Sequence, residues 1–277
     1  MKKLKLIFEN KNLRSKILYT LGIIFVYRLM AQVSIPGVNL ASLKAVFEQN
    51  QFLSIFSLLT GGSAENFSIV LMGLGPYINA SIIVQLLTVV IPKFEELSKD
   101  GEQGRRKLNS ITRWLTLPLA LLQSYGTILL LNSQAQLPII ENISDPSVIL
   151  PIMLSVSAGS VLLMWLGEQI SENGLSNGVS LLIFTSIIST VPTALAQNLL
   201  VASKDITQLI PVIAIVLLTL GLIIATVLFT DAYRRIPVAY ASKSAKGAMS
   251  ELPIKVNQAG MIPIIFAVSV VTFPTIA

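Results

Sequence analysis

The chain has 277 residues, of which 53% are apolar and only 12% charged, with a formal net charge of +6. A water-facing domain of this size carries about twice that share of charged residues, so long stretches of this chain face lipid. Histidine and cysteine are both absent, which excludes disulfides, thiolate or imidazole metal sites and histidine acid–base catalysis.

The first element opens basic, with Lys2, Lys3, Lys5, Lys11, Arg14 and Lys16 ahead of an apolar run over Ile17–Ile35. That run is long enough to span a bilayer as a helix. No small-residue cleavage site follows it, so the pattern predicts a retained span rather than a removable leader. Arg28 is the one charge inside a predicted span. It either snorkels to the interface or braces the bundle by bonding backbone carbonyls, and bracing is the favoured reading. Beyond Pro36-Gly37-Val38 a polar stretch leads to the apolar run Phe52–Leu59, closed by Gly61-Gly62. A helix of about two turns with a glycine stop is too short to cross. It either lies on the outer surface or re-enters the protein, where covered backbone is tolerated.

The second predicted span, Phe67–Ile91, carries Gly73, Gly75 and Pro76 in its first third, which predicts a bend. A basic loop follows over Pro92–Arg113, with Lys93, Lys99, Arg105, Arg106, Lys107 and Arg113. The third span, Trp114–Leu131, leads to a loop over Asn132–Val148 whose only charges are Glu141 and Asp145. The fourth and fifth, Ile149–Leu166 and Val179–Ala196, are joined by a short turn and so are predicted antiparallel neighbours. The sixth, Leu209–Phe229, precedes a late basic loop over Thr230–Asn257, and the seventh is Gln258–Thr275. The Lys- and Arg-rich segments fall on one side of the membrane in this count of about seven spans, which puts the N-terminus in the cytoplasm. The prediction is an all-α polytopic bundle forming a single transmembrane domain over residues 1–277.

Every Asp and Glu falls in a loop or at a span edge, Glu168 beside Trp165 lying closest to a span interior. An ion or proton pathway built on intramembrane acids therefore has no candidate. No phosphate-cradling glycine motif and no nucleophile–base pair is present, so the chain reads as neither an ATPase nor any other enzyme and needs no cofactor. The basic segments bracket spans, which argues against a nucleic-acid surface. What remains is a passive passage with apolar walls. Rival readings are an ion-coupled small-solute transporter with a polar midplane residue such as Asn79, and a membrane scaffold that moves nothing.

Several runs carry a resemblance. They are Pro36-Gly37-Val38, Gly75-Pro76-Tyr77-Ile78-Asn79-Ala80-Ser81, Gly101-Glu102-Gln103-Gly104-Arg105-Arg106-Lys107, Met164-Trp165-Leu166-Gly167-Glu168-Gln169-Ile170, Asn177-Gly178-Val179-Ser180, Arg234-Arg235-Ile236-Pro237-Val238 and Leu252-Pro253-Ile254-Lys255-Val256-Asn257-Gln258-Ala259-Gly260. In this order the chain resembles the SecY family of protein-conducting channels over nearly its whole length. The resemblance implies an inverted-repeat bundle of ten spans in two halves of five. Residues 1–196 would be the first half and residues 197–277 the start of the second. It implies that the short segment at about 50–62 is a plug, with Phe52, Leu53, Ile55, Phe56, Leu58 and Leu59 as its apolar residues. It implies a constriction ring at Leu74, Ile78, Leu175, Val179 and Ile265, whose aliphatic side chains bind no particular substrate and dewet a narrow pore.

The resemblance further implies a lateral gate, for which Gly73, Gly75 and Pro76 supply the bend. Arg105, Arg106, Arg234 and Arg235 take positions that dock the ribosome or the SecA ATPase. SecE and SecG are the implied subunit partners, and unfolded precursors with signal sequences the implied cargo, some of it released sideways into membrane lipid. The implied location is the cytoplasmic membrane of a bacterium. Nucleic acid enters only through ribosome docking. Three departures stand out. The chain covers seven of the ten spans and is expected to be an N-terminal fragment. The late loop from Tyr240 to Leu252 is short and less basic than usual. Leu175 and Val179 stand where isoleucine is common.

Overall fold

The computed structural model describes residues 10–50, 53, 57, 60–135, 137–140, 143, 145–204, 209–238, 250–257 and 260. The chain forms two compact units, one built on Met1–Pro192 and the other on Thr193–Val268.

In the first unit, α1 (Lys11–Met30) starts at Asn10, whose side chain accepts from the Asn12 amide. It begins six residues earlier than the apolar run predicts, because Lys11, Arg14 and Lys16 continue the helix outward. An extended step then pairs with a later strand-like stretch: Ile35 N donates to Phe67 O at 3.0 Å and Ile69 N to Val33 O at 3.1 Å. A short helix, α2 (Leu40–Gln49), is capped by Asn39, whose Oδ1 accepts from the Ala41 and Ser42 amides.

The second predicted span needs correction. Helix α3 covers only Gly75–Val90, and residues 61–74 form successive turns instead of helix. The cause is local backbone conformation. Gly73 sits at φ +55° and Phe67 at φ +43°, both outside the helical region. The bonds Leu71 N to Ser68 O, Gly73 N to Val70 O and Gly75 N to Met72 O close tight turns in place of a helical ladder. Such backbone survives in a membrane protein because protein covers it, and Phe67, Ser68, Val70 and Leu71 are all fully buried. Pro76 then falls in the first turn of α3, where its missing N–H costs nothing.

The basic loop is also helical, which the loop prediction missed. Helix α4 (Pro92–Lys99) leaves α3 at a bend of 103°, and α5 (Gly101–Gln134) follows after Asp100 alone. Gly104 makes this possible: a Cβ there would lie 1.7 Å from the Leu97 carbonyl oxygen. Asn132 near the end of α5 accepts from the amides of Ile139 and Ile140, folding the connection back. Helix α6 (Pro146–Asn173) is capped by Asp145, whose carboxyl is held below its usual range by the Ser147 hydroxyl and then the Ser147 amide. Helix α7 (Gly178–Lys204) follows after only Gly174–Asn177.

The α6–α7 turn is built from small residues. Ser171 Oγ donates to Gly167 O and accepts from Gly178 N, and a Cβ on Gly178 would lie 1.9 Å from Gly167 O. Thr112, Thr116 and Ser124 on the buried face of α5 return their hydroxyls to carbonyls of their own helix, and Ser124 also meets the buried Ser157 of α6. Small and hydroxylated residues at helix contacts are how spans pack where lipid removes the hydrophobic drive between them.

Two apolar clusters organise this unit. One gathers Leu43, Val46, Phe47, Phe67, Leu71, Ile128, Leu131, Ile139, Ile140, Ile152 and Val156 around the α2 side. The other joins Tyr27, Ala31, Val70, Leu74, Leu163, Leu166, Ile170 and Leu182.

In the second unit, α8 (Leu209–Thr230) is apolar all round and exposes Ile215, Leu218, Leu222 and Phe229. It is followed by an antiparallel ribbon of β1 (Tyr233–Val238) and β2 (Ser250–Lys255). The ribbon pairs Tyr233 with Lys255 and Ile236 with Leu252, and Lys255 Nζ lies 5.6 Å from the centre of the Tyr233 ring. Pro237 and Pro253 are accommodated because each strand of a two-stranded ribbon is an edge.

Helices α5, α6, α7 and α8 are each long and apolar enough to cross a membrane, and the bent α3–α4 pair passes the same test together. The seventh predicted span, Gln258–Thr275, lies outside the described residues apart from Gly260.

Candidate functional site

The second cluster contains three of the predicted ring residues. Leu74, the residue before α3, is 7% exposed, and Ile78 follows one turn later, half-buried on the same helix face. Val179, in the first turn of α7, packs against the same cluster. Three of the predicted ring residues therefore come together on two helices, with Leu163, Leu166 and Ile170 of α6 behind them.

Leu175 does not join them. It sits in the turn between α6 and α7, is 47% exposed, and lines an open cavity of about 300 Å³ with Asn10, Asn12, Leu13, Lys16 and Gly174 at the start of α1. The reason is where α7 begins: Asn177 caps it by accepting from the Ser180 amide, so residues before Gly178 are not on its face. Ile183, four residues beyond Val179, packs against the cluster instead. Ile265 lies outside the described residues.

Of the short apolar segment, Leu53, Ser57 and Thr60 are described, and they are buried to 3%, 2% and 8% exposure. Leu53 packs with Val46, Phe67 and Leu71, so these positions lie inside the protein rather than on its surface. Phe52, Ile55, Phe56, Leu58 and Leu59 lie outside the described residues. The end of the segment is tied internally: Gly62 N donates to Ser57 O, Ser57 Oγ to Glu65 Oε1 at 2.6 Å, and Ser63 Oγ to Thr60 O. Arg28 braces as expected, its Nη1 donating to Gly61 O at 3.2 Å.

Gly73, Gly75 and Pro76 mark the start of α3 rather than a bend within a longer helix, so any flexing there happens at a turn-to-helix junction. Arg105 and Arg106 are exposed on the first turns of α5, Arg106 pairing with Glu102 at 3.5 Å. An exposed pair of that kind contributes little to stability. Arg234 and Arg235 are exposed on β1. At the same end of α5, Arg113 Nε donates to Glu168 Oε1 of α6 at 2.7 Å, with the carboxylate only 18% exposed. Tyr19 of α1 donates to Gln169 one residue on. The sequence pattern places Glu168 at a span edge and points to no partner for it.

These features define an all-α polytopic membrane protein with an aliphatic cluster between the helices of its first unit. Residues 68–277 match the family model described as SecY. The protein translocase subunit SecY of Lactococcus lactis subsp. cremoris is 42% identical, the match covering 99% of this chain and 64% of that protein. The Corynebacterium glutamicum protein of the same description is 40% identical over 97% of this chain and 63% of its own length. Among solved structures, one described as a protein conducting channel matches with a TM-score of 0.62 at 19% identity, covering 93% of this chain and 56% of that one. Another, from work on the plug domain of SecY, gives 0.64 at 20% identity, covering 95% and 57%. The structural likeness, at such identities, shows a shared fold. The chain belongs to the SecY family. It spans about 64% of the length of the Lactococcus relative.

Proposed function

We propose that this chain supplies the channel part of a protein translocase, passing unfolded polypeptides across the cytoplasmic membrane of a bacterium and releasing transmembrane segments sideways into lipid. The observation that carries the reading is the meeting of Leu74, Ile78, Val179 and Ile183 from α3 and α7 in one aliphatic cluster. Side chains of this kind grip no particular sequence and oppose wetting of a narrow passage. In this reading the ring is Leu74, Ile78, Val179 and Ile183, with Ile265 joining from the seventh span, and Leu175 is left out.

The segment at about 50–62 is the plug, supported by the burial of Leu53, Ser57 and Thr60. Gly73, Gly75 and Pro76 serve the gate. Residues 1–196 are the first half of the fold and residues 197–277 the opening of the second. The Lys and Arg distribution supports a cytoplasmic N-terminus. Arg105 and Arg106 on α5 are then cytoplasmic docking positions for the ribosome or SecA, as are Arg234 and Arg235 on β1 in their own unit, and SecE and SecG complete the assembly. The small-solute transporter reading finds no support among the relatives.

The test is a photo-crosslinker placed in turn at Ile78, Ile183 and Leu175 of the natively assembled protein, with a precursor stalled during export. Adducts are expected at Ile78 and Ile183, with few at Leu175. No adduct at Ile78 while translocation is running would overturn the channel reading. Adducts at Leu175 in place of Ile183 would restore the ring the spacing first implied.

A further inference from the structure

Three elements of the first unit meet at one backbone position, Gly61. Tyr27 of α1 is 2% exposed, and its hydroxyl bonds Ser186 Oγ of α7, itself 6% exposed. The Ser186 proton goes to Leu182 O at 2.9 Å, so Tyr27 is the donor in the pair. One residue further along α1, Arg28 Nη1 donates to Gly61 O. Gly61 in turn lies against α7: a Cβ there would be 2.8 Å from Ser186 O and 2.9 Å from Ser186 Cα, and its φ is +68°. Only glycine allows this approach.

Contact without a side chain supplies no directional attraction. The turn around Gly61 closes on itself through Gly62 N to Ser57 O and Thr60 Oγ1 to Ser57 O, bonds that hold its shape but not its place. Ser57 Oγ to Glu65 and Ser63 Oγ to Thr60 O and Val70 O tie the turn to the chain that follows it. Among the described residues, the side-chain bonds that tie it to α1 and α7 are Arg28 to Gly61 and, through α7, Tyr27 to Ser186. A cation within an apolar span is costly, and bonding a carbonyl offsets part of that cost. We propose that Arg28 is a positioning residue which, with Tyr27 and Ser186, clasps the turn at Gly61 against α7. The guanidinium supplies the directional bond, the Tyr27–Ser186 pair fixes α1 against α7 so that the guanidinium reaches, and Gly61 leaves room for both. The consequence for a resting channel, a higher leak when the clasp is cut, rests on the channel reading above; the seating itself does not.

Because the chain has no cysteine, a single Thr60→Cys substitution reports on the seat, Thr60 being 8% exposed. The rate of its reaction with a water-soluble maleimide is measured in membranes of the natively assembled protein, alone and combined with R28M, R28K or Y27F. Loss of a charge-assisted bond from a local opening equilibrium predicts that R28M speeds labelling about tenfold or more. R28K is expected to restore part of the protection, since one ammonium replaces the planar fork. Y27F, which removes only a hydroxyl, is expected to speed labelling about threefold. A separate Ser133→Cys reporter, on an exposed part of α5, is expected to react at one rate in every background. If its rate shifts with R28M, that variant is misfolded and Y27F decides. Rates at Thr60→Cys within about twofold of one another in R28M and Y27F backgrounds and in the parent would overturn the clasp. Altered labelling without any crosslink at Ile78 would keep the clasp and reject the channel.

Discussion

Gly159→Ala is expected to be among the most damaging single-methyl changes in the chain. Gly159 lies at the contact of α6 with the turns ahead of α3, and a Cβ there would fall 2.0 Å from the Ile69 carbonyl oxygen and 2.7 Å from its carbon. The obstructing atoms are backbone, so no rotamer change relieves the clash. Ile69 N is itself bonded to Val33 O, and Ile69 follows Phe67 and Ser68, which are fully buried. The turn cannot retreat without breaking that pairing. Overpacking of this kind costs about 1–3 kcal/mol, which a thermal unfolding midpoint in detergent registers as a drop of about 3–10 °C. Gly221→Ala is the control. Nothing lies within 4 Å of a Cβ there, and alanine is the better helix former by about 1 kcal/mol. Its midpoint should hold or rise. Equal effects at the two positions would mean that the α6 contact is looser than the distances state.

Arg113→Ala should destabilise through what it leaves behind. Glu168 is only 18% exposed, and its carboxylate loses the ion pair it makes among the described residues, the 2.7 Å contact with Arg113. Breaking a fully buried pair costs about 3–5 kcal/mol. Arg113 is 49% exposed, so water screens much of this and about 1–2 kcal/mol remains. Glu168→Gln in the same chain removes the stranded charge and should recover most of the loss. The check is a double-mutant cycle on the thermal midpoint, where the double variant lies above R113A. If R113A alone matches the parent, the pair is a surface contact with no structural role.

Helices α5 to α8 were legible because runs of about twenty apolar residues have few other uses. What those runs do not state is which apolar residues meet protein and which meet lipid. Phe67–Leu74 is as apolar as a span, yet it folds as turns because Gly73 and Phe67 adopt positive φ and neighbouring helices cover the exposed backbone. The ring pair on α7 shows the limit of spacing. Leu175, Val179 and Ile183 are each four apart, so periodicity fits either pair, and the choice depends on where Asn177 starts the helix.

The helices in the basic stretch were within reach. Pro92 at a helix start and the Glu95–Lys99 and Glu102–Arg106 spacings are helix signals. Dense charge fits a solvated loop equally well, and only the spacing separates the two. The β ribbon had a weaker signal, the alternation of apolar and polar residues around Ile236 and around Leu252, which the register sets opposite each other. Arg113–Glu168 joins residues 55 apart in sequence, and no local pattern announces such a pair.

Helix α5 runs for 34 residues with Pro118 inside it. At 1.5 Å per residue it is about 51 Å long, against a hydrocarbon core of about 30 Å. Some 20 Å of rod, roughly, therefore stands clear of the lipid tails. Arg105 and Arg106 are on its outermost turns, and Gly104 locks it to α4 there. A helix of this length works mechanically as a lever whose pivot is the membrane. A load applied to those arginines would move the buried arm in the opposite sense, where Ser124 meets Ser157 of α6. Pro118 lies inside the helix between the two arms, so the bend a proline allows there sets how much of the push reaches inward.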